Sequence, residues 1–549
     1  MADRVTHEET RYVWLGAGAV MLLAAAPFVL AALWPSPALQ FGGFLIGVED
    51  GNSYLAKMLQ GAQGQWTVQL VYSTEAQRGG FFFLVYVLLG KVARLTGVSQ
   101  AVILHVARLL AIPWALYSFY RLAAFFTPHL AVRRLALVLF AFAGGFGWLW
   151  VMFGLPAQLG DMPVDLWVPD ASFFLSALTF PHLLLKQGLL FWFILGTLRF
   201  LAGGRLVDAL LAAFAGLGCS LIHPYTLPVI GVPFGVYALW QGRHGWKALC
   251  TSCARLMLVT LLSVPYLLYA GWFFRTNPVF AEWQRQSPVP SPALHLYLIG
   301  FGIPLMLAIL GLVLRDAPRR VHPFLWIWAI ALPPLLYLPV PGQRRFLDGY
   351  QALIALLAAR GLYLLCYRAV QPAALPTRPA ASAPPRHGAL CLPVLLAVAA
   401  LSSLFLLVGA TFTATSQAEP VYRPAWEMAA LGFLAEDSTH PAVLSAYATG
   451  NLLPAYASLR TFLGHGAETV DFSTKEQAVH DFFAQDTPDR WRRDLLARYG
   501  IDYVYHGPRE KALGHFDPRG VPYLELVYDR EDVQLYRVIL RPVPGNIVK

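Results

Sequence analysis

The strongest limit on what this chain can fold into is the recurrence of apolar runs of about 18 or more residues. Each is long enough to cross the roughly 30 Å hydrocarbon core of a bilayer. Such runs occupy 12–34, 135–153, 183–200, 294–314 and 390–412, with further apolar stretches at 206–222, 227–240, 256–272, 324–340 and 352–367. With a mean hydropathy of +0.53 and only 13% charged residues, most of the 549 residues cannot form a water-soluble domain. The expectation is a polytopic α-helical membrane protein of about 11–13 spans. Run 12–34 is too long for a signal-peptide core and lacks a small-residue cleavage site, so it reads as an anchor. The runs 81–95 and 101–119 are separated only by Thr96-Gly97-Val98-Ser99. Lys91 and Arg94 on one side of the second run, and Arg121, Arg133 and Arg134 on the other, all carry the cytoplasmic sign. Residues 81–119 are therefore expected to cross once, the remainder being re-entrant or interfacial.

Much of the net charge of +10 sits in short loops between these runs. Arg199 with Arg205, Arg243 with Lys247, Arg315 with Arg319 and Arg320, and Arg368 with Arg378 and Arg386 mark one side as cytoplasmic. No nucleic acid is needed to explain that charge. By alternation, the loops around 161–180, His223, Arg275 and Arg344 face outward from the inner (cytoplasmic) membrane, as does everything after 412. The five cysteines (Cys219, Cys250, Cys253, Cys366 and Cys391) lie in or beside apolar segments, so no disulfide framework is implied. Cys250 and Cys253 read as packing residues at a helix start. Segment 370–387, rich in Pro and Ala, reads as a flexible cytoplasmic loop.

Composition changes near residue 412. Residues 1–412 are expected to form a transmembrane module with an external loop at 35–78, and 413–549 a small extracytoplasmic α/β domain. Within the latter, 442–447, 503–506, 524–528 and 533–538 have strand patterns, and Tyr528-Asp529-Arg530-Glu531-Asp532 reads as a hairpin turn. Segments 475–483 and 489–499 read as amphipathic helices.

The polar residues on the outer face are the candidates for chemistry, because charged groups at membrane ends are costly without a purpose. In the external loop, Glu49-Asp50-Gly51-Asn52-Ser53 forms an acidic turn. Asn52 or Ser53 can cap a short helix whose Tyr54, Leu55, Met58 and Leu59 make an apolar face suited to the membrane surface. A carboxylate there can draw a proton from a hydroxyl, so Asp50 or Glu49 fits a general base. Guanidinium forks match phosphate oxygens in pairs, so Arg344 and Arg345 fit a phosphate site. Lys57, His182, His223 and Tyr225 are further substrate-binding candidates. Each has a plainer reading as well: a helix cap for the acidic turn and for the proline-flanked histidines, and interfacial anchors for the arginines. Gly464-His465-Gly466-Ala467-Glu468-Thr469 reads as a loop docking the C-terminal domain, and His506-Gly507-Pro508-Arg509-Glu510 as a strand end leading into a turn.

This layout resembles the GT-C superfamily of integral-membrane glycosyltransferases, which includes protein O-mannosyltransferases, lipid A aminoarabinose transferases and oligosaccharyltransferases. The resembling features are a first span, a long external loop with Glu49-Asp50 and a juxtamembrane helix, many further spans and a C-terminal external domain. The segments Glu49-Asp50-Gly51-Asn52-Ser53-Tyr54, Leu221-Ile222-His223-Pro224-Tyr225 and Gln343-Arg344-Arg345-Phe346 are also similar to segments of a set of bacterial multi-pass proteins. The superfamily resemblance implies an inverting glycosyltransferase that moves a sugar from a polyprenyl-phosphate donor to a lipid, glycan or protein acceptor. Its first-loop acidic residue acts as base or metal ligand, a role that falls on Asp50 or Glu49. One base inverts the anomeric centre, whereas retention takes a second, nucleophilic carboxylate. A divalent metal stays open, since no second Asp–x–Glu motif stands out and Asp161, Asp165 and Asp170 are candidates by position only. The implied partners are the lipid donor, membrane lipids and an acceptor that the sequence does not name. The alternatives are a multi-pass transporter or lipid flippase, or a non-catalytic subunit of an envelope-assembly complex. Against a transporter, no internal repeat relates two halves and no charged residue stands mid-span.

Overall fold

The computed structural model describes residues 4–314, 321–368 and 386–540. Arg315, Arg319, Arg320 and Arg378, with nearly all of the 370–387 loop, lie outside the described residues. The chain divides into two compact units: Met1–Pro27, His105–Ala270 and Val289–Phe412 make one, and Phe28–Leu104, Gly271–Pro288 and Thr413–Lys549 the other.

The first unit is helical. Among the described residues, six helices are long and apolar enough to cross a membrane: His7–Leu33, Gln100–Phe126, Leu130–Met152, Pro181–Gly203, Leu294–Val313 and Gln343–Cys366. Counting each strongly bent pair as one span, Trp246–Leu261 with Val264–Thr276 and Leu392–Ala399 with Leu401–Ser416, gives eight. The expected 11–13 spans counted shorter apolar runs as well. Several apolar runs fold into helices of 13–17 residues, such as Leu206–Ile222 and Pro323–Leu335, short of the ~20 needed to cross unaided. Of the two runs in 81–119, only the second belongs to a helix of spanning length.

Close backbone packing holds this unit together. A Cβ on Gly311 would lie 2.0 Å from the Leu357 carbonyl oxygen, and one on Gly361 2.0 Å from that of Leu307. Small residues at such crossings let two helices approach where lipid supplies no hydrophobic drive. Charged residues do stand inside the apolar helices, contrary to the sequence reading. Arg108 is fully buried and bonds the carbonyls of Ala24 and Ala177, while Arg133 pairs with Glu9 at 2.9 Å.

The second unit contains the α/β fold. Its strands are β1 (Leu39–Phe41), β2 (Tyr422–Pro424), β3 (Ala442–Leu444), β4 (Arg460–Thr461), β5 (Tyr503–His506), β6 (Leu524–Arg530) and β7 (Val533–Val538). β1 and β2 pair antiparallel; the other five form one sheet in the order β4-β3-β5-β7-β6. β3 runs parallel to β4 and β5, so the loops leaving their carboxyl ends emerge along one edge, where α/β folds place ligand-handling residues. The expected β6–β7 hairpin forms, turning at Glu531 and Asp532. Leu444, Phe462, Phe482 and Leu496 pack on one face of the sheet, and Val443, Leu431, Leu452 and Leu535 on the other.

Candidate functional site

Glu49 and Asp50 lie in the first turn of the helix Val48–Ala62, where the free N–H groups and helix dipole suit negative charge. The preceding residue, Gly47, takes the left-handed backbone (φ 65°) and starts the helix without a side-chain cap. Asn52 and Ser53 are therefore not caps, as the sequence suggested, but interior residues. Asn52 donates to Asn451 Oδ1 at 2.8 Å and Ser53 Oγ to Glu468 Oε1 at 2.7 Å. Nor is the helix a free surface piece: most of its residues are buried. It packs on the helix Leu84–Thr96 so closely that a Cβ on Gly90 would sit 1.9 Å from the Met58 carbonyl oxygen.

The carboxylates face the loop that follows β4. Glu49 Oε1 accepts from the Tyr447 hydroxyl at 2.5 Å and from the Gly466 N–H at 3.0 Å. His465 is 6% exposed. Its Nδ1 accepts from the N–H groups of Ala467 and Glu468, both at 3.3 Å, which leaves the proton of the neutral ring on Nε2. Nε2 stands 3.5 Å from Asp50 Oδ1. Burial pulls the imidazole's proton affinity down, but the carboxylates of Asp50, Glu468 and Glu49 outweigh it and hold its pKa above the ordinary value. A cleft of about 710 Å³ opens over this pair. Leu45, Val48, Glu49, Asp50, Glu419 and His465 contribute to its walls, as do Thr413 and Ser416 from the last turn of the helix Leu401–Ser416. Among the described residues no Lys or Arg lines it.

Lys57 does not reach this cleft. It is 2% exposed, pairs with Glu468 Oε1 at 2.8 Å and donates to Ser53 Oγ at 2.5 Å. Burial pushes the Glu468 carboxyl up, but Lys57 and His465 hold it below the usual value. Lys57 thus fixes the His465 loop to the acidic helix.

The first unit holds the other five sequence candidates around a second polar cluster. Lys186, fully buried, is bonded by Asp170 at 2.7 Å and by Asp348, whose second oxygen accepts from Thr226 Oγ1 at 2.5 Å. Thr226 opens the helix after His223 and Tyr225. The His182 and His223 rings meet edge to face at 5.5 Å, and His223 lies 5.6 Å from the Tyr225 ring. Burial and the cations Lys186 and Arg345 hold His223 well below the ordinary histidine pKa, so it is neutral at pH 7. Arg345 donates to the Tyr225 hydroxyl, and Arg344 lies 4.2 Å from the Trp167 ring centre. His182, His223, Tyr225, Arg344 and Arg345 thus converge from three separate stretches of chain. Asp170 stood out only by position, and nothing local shows that Asp170 and Asp348 pair with Lys186, 16 and 162 residues away.

Among the described residues no three His, Cys, Asp or Glu side chains converge to hold a metal ion. Asp165 instead accepts from the N–H groups of Gly145 and Gly147 and from Ser402 Oγ at 2.6 Å, and Asp170 is committed to Lys186.

No protein-family model and no curated protein matches this sequence. Its fold, however, is shared by solved membrane glycosyltransferases. It is similar to ArnT from Cupriavidus metallidurans bound to undecaprenyl phosphate (14% identity, 96% of this chain and 98% of that one, TM-score 0.51). It is also similar to the archaeal oligosaccharyltransferase AglB from Archaeoglobus fulgidus in complex with an inhibitory peptide and a dolichol-phosphate (14% identity, 91% and 70%, TM-score 0.53). The third likeness is to the arabinofuranosyltransferase AftD from mycobacteria (14% identity, 99% and 41%, TM-score 0.56), of whose length the chain spans less than half. The fold is GT-C. With its apolar helices, the chain is a multi-pass membrane protein.

Proposed function

We propose that the protein is an inverting glycosyltransferase of the outer face of the bacterial cytoplasmic membrane, taking its sugar from a polyprenyl-phosphate donor. The observation that carries the reading is the acidic helix start opening into the 710 Å³ cleft, with Asp50 exposed to it. Glu49 already accepts two hydrogen bonds, whereas the Asp50 side chain is 60% exposed, so Asp50 is assigned as the base and Glu49 as its anchor. Asp50 takes the proton of an acceptor hydroxyl as that oxygen bonds to the anomeric carbon. The bond from that carbon to the lipid phosphate breaks, and the phosphate leaves with the electron pair. One base and one displacement invert the centre.

A cleft walled by Glu49, Asp50 and Glu419 suits a hydroxyl-bearing acceptor and repels phosphate. Within the first unit, a phosphate-binding role is assigned to Arg344 and Arg345, whose forks match phosphate oxygens. Lys186 is bound to Asp170 and Asp348 and orders the cluster around them rather than serving the phosphate. In this reading the C-terminal α/β portion is extracytoplasmic and the membrane is the inner one.

The test uses purified protein in nanodiscs with undecaprenyl-phosphate-linked sugars and a panel of glycan, lipid and peptide acceptors. Release of undecaprenyl phosphate together with a glycoside of inverted configuration supports the reading. In proteoliposomes lacking any acceptor, movement of the lipid-linked sugar between leaflets, with no transfer in the nanodisc assay, would replace it with the flippase.

A further inference from the structure

Resting on the assignment of Asp50 as the base, we infer that His465 is its positioning residue. The backbone locks His465 on one side: two N–H groups, of Ala467 and Glu468, donate to Nδ1 and leave only Nε2 able to carry the proton. That Nε2 is aimed at Asp50 Oδ1 from 3.5 Å, lines the cleft, and has no other hydrogen-bond partner. A nine-tenths buried ring with one end tied down and the other directed at an exposed carboxylate fixes the direction in which that carboxylate points. Asp50 Oδ1 faces Nε2–H, and the carboxylate lines the cleft where an acceptor hydroxyl would sit.

The ring cannot drift, because its loop is seated backbone against backbone. A Cβ on Gly450 would lie 1.9 Å from the Leu463 carbonyl oxygen, and one on Gly464 2.5 Å from the Gly450 carbonyl carbon. The charged and titratable groups facing the ring are Glu49 and Asp50 from the acidic helix, Glu468 from its own loop, Tyr447 from the helix Tyr447–Tyr456, and Tyr72, whose ring centre is 5.5 Å away. Glu468 is engaged by Lys57 and Ser53, and Glu49 by Tyr447 and Gly466. Asp50 is the partner left for Nε2–H. When Asp50 takes the acceptor proton, the same bond keeps the carboxyl in place without itself breaking.

The experiment has two arms on the full chain in nanodiscs. In the first, ¹⁵N-histidine spectra of wild type and Asp50→Asn are compared on the alkaline side of the ring's titration, with the His465 signal assigned by its loss in His465→Gln. The expected result is a protonated Nε2, an unprotonated Nδ1, and a shift of the Nε2 signal in Asp50→Asn. In the second arm, kcat and KM are measured for undecaprenyl-phosphate-linked sugar with the acceptor found above. His465→Asn, whose amide reaches only the Nδ1 position, is expected to lose about 10- to 100-fold in kcat with KM nearly unchanged, as for a misplaced reacting group. His465→Gln, whose amide N–H reaches the Nε2 position, recovers most of that rate. An Nε2 signal indifferent to Asp50→Asn, or a kcat unchanged in His465→Asn, overturns the positioning role. A shifted Nε2 signal in a protein that transfers no sugar overturns the transferase reading and leaves the hydrogen bond standing. A purely structural role, in which Gln and Asn variants fail alike with a common fall in melting temperature, also overturns it.

Discussion

Replacing Lys57 with Met isolates what ties the acidic helix to the loop after β4. The substitution keeps the side chain's length and apolar stem but removes the ammonium that Glu468 accepts from at 2.8 Å. Glu468 is 5% exposed, and one of its oxygens, Oε2, already has no hydrogen-bond partner. After the change its ionised carboxylate keeps only the Ser53 hydroxyl and the nearby His465. Removing one partner of a buried pair costs about 3–5 kcal/mol, far more than the pair's net worth. For a unit of roughly 200 residues, that is about 6–20 °C in melting temperature. The sign with pH follows from the carboxyl. In the wild type its pKa is held down, so its stabilising contribution is present above the unfolded value and fades as acid titrates the folded group. In Lys57→Met burial pushes the pKa up instead, so the loss is greatest at pH 7–8 and shrinks toward pH 5. Adding Glu468→Gln should restore part of the melting temperature at pH 7. Differential scanning fluorimetry in nanodiscs at several pH values reads all three proteins. A Lys57→Met protein that melts with the wild type at pH 7, or whose loss is independent of pH, refutes the buried pair as the clasp.

Other outcomes follow from single contacts. Arg345→Gln is expected to weaken binding of undecaprenyl phosphate by about 10-fold or more, with Arg345→Lys intermediate, because Lys offers a point charge without the fork; microscale binding measurements check it. Gly450→Ala forces a Cβ to within 1.9 Å of a backbone oxygen and should cost about 1–3 kcal/mol; it should melt earlier, whereas Gly432→Ala, with open space around it, should not. Burial pushes the Asp165 carboxyl up to about 6 despite the Ser402 and backbone hydrogen bonds. Stability should therefore rise as pH falls from about 6 toward the unfolded value near ~4, and Asp165→Asn should flatten that part of the profile.

The membrane class and much of the second unit were legible because they rest on local pattern. The β6–β7 hairpin and the helix Asp489–Tyr499 show alternation and amphipathic period within a few residues. β4 was not legible, since two residues, Arg460 and Thr461, carry no period; they are strand only because β3 lies beside them. Hydropathy measures apolar length and not straightness, so it does not show where helices bend. Trp246–Leu261 and Val264–Thr276 are bent by 62°, and the Leu294–Val313 helix is kinked at Gly302. At the site, the acidic pair stood out because adjacent carboxylates between a span and a Gly are unusual. Asn52, Ser53 and Lys57 misled, because their partners Asn451 and Glu468 are some four hundred residues away and turn a surface-looking helix inward. His465 carried one signal, a histidine in a Gly-x-Gly setting, but only the fold brings it to Asp50.

The most direct measurement is the single-turnover transfer rate of Asp50→Asn beside that of Glu49→Gln, with melting temperatures recorded for both. A base contributes about 10²- to 10⁴-fold. Asp50→Asn should lose at least that lower factor while melting with the wild type, and Glu49→Gln should lose less, since it keeps an oxygen for Tyr447 and Gly466. Full transfer by a folded Asp50→Asn protein would contradict the assignment of Asp50 as the base.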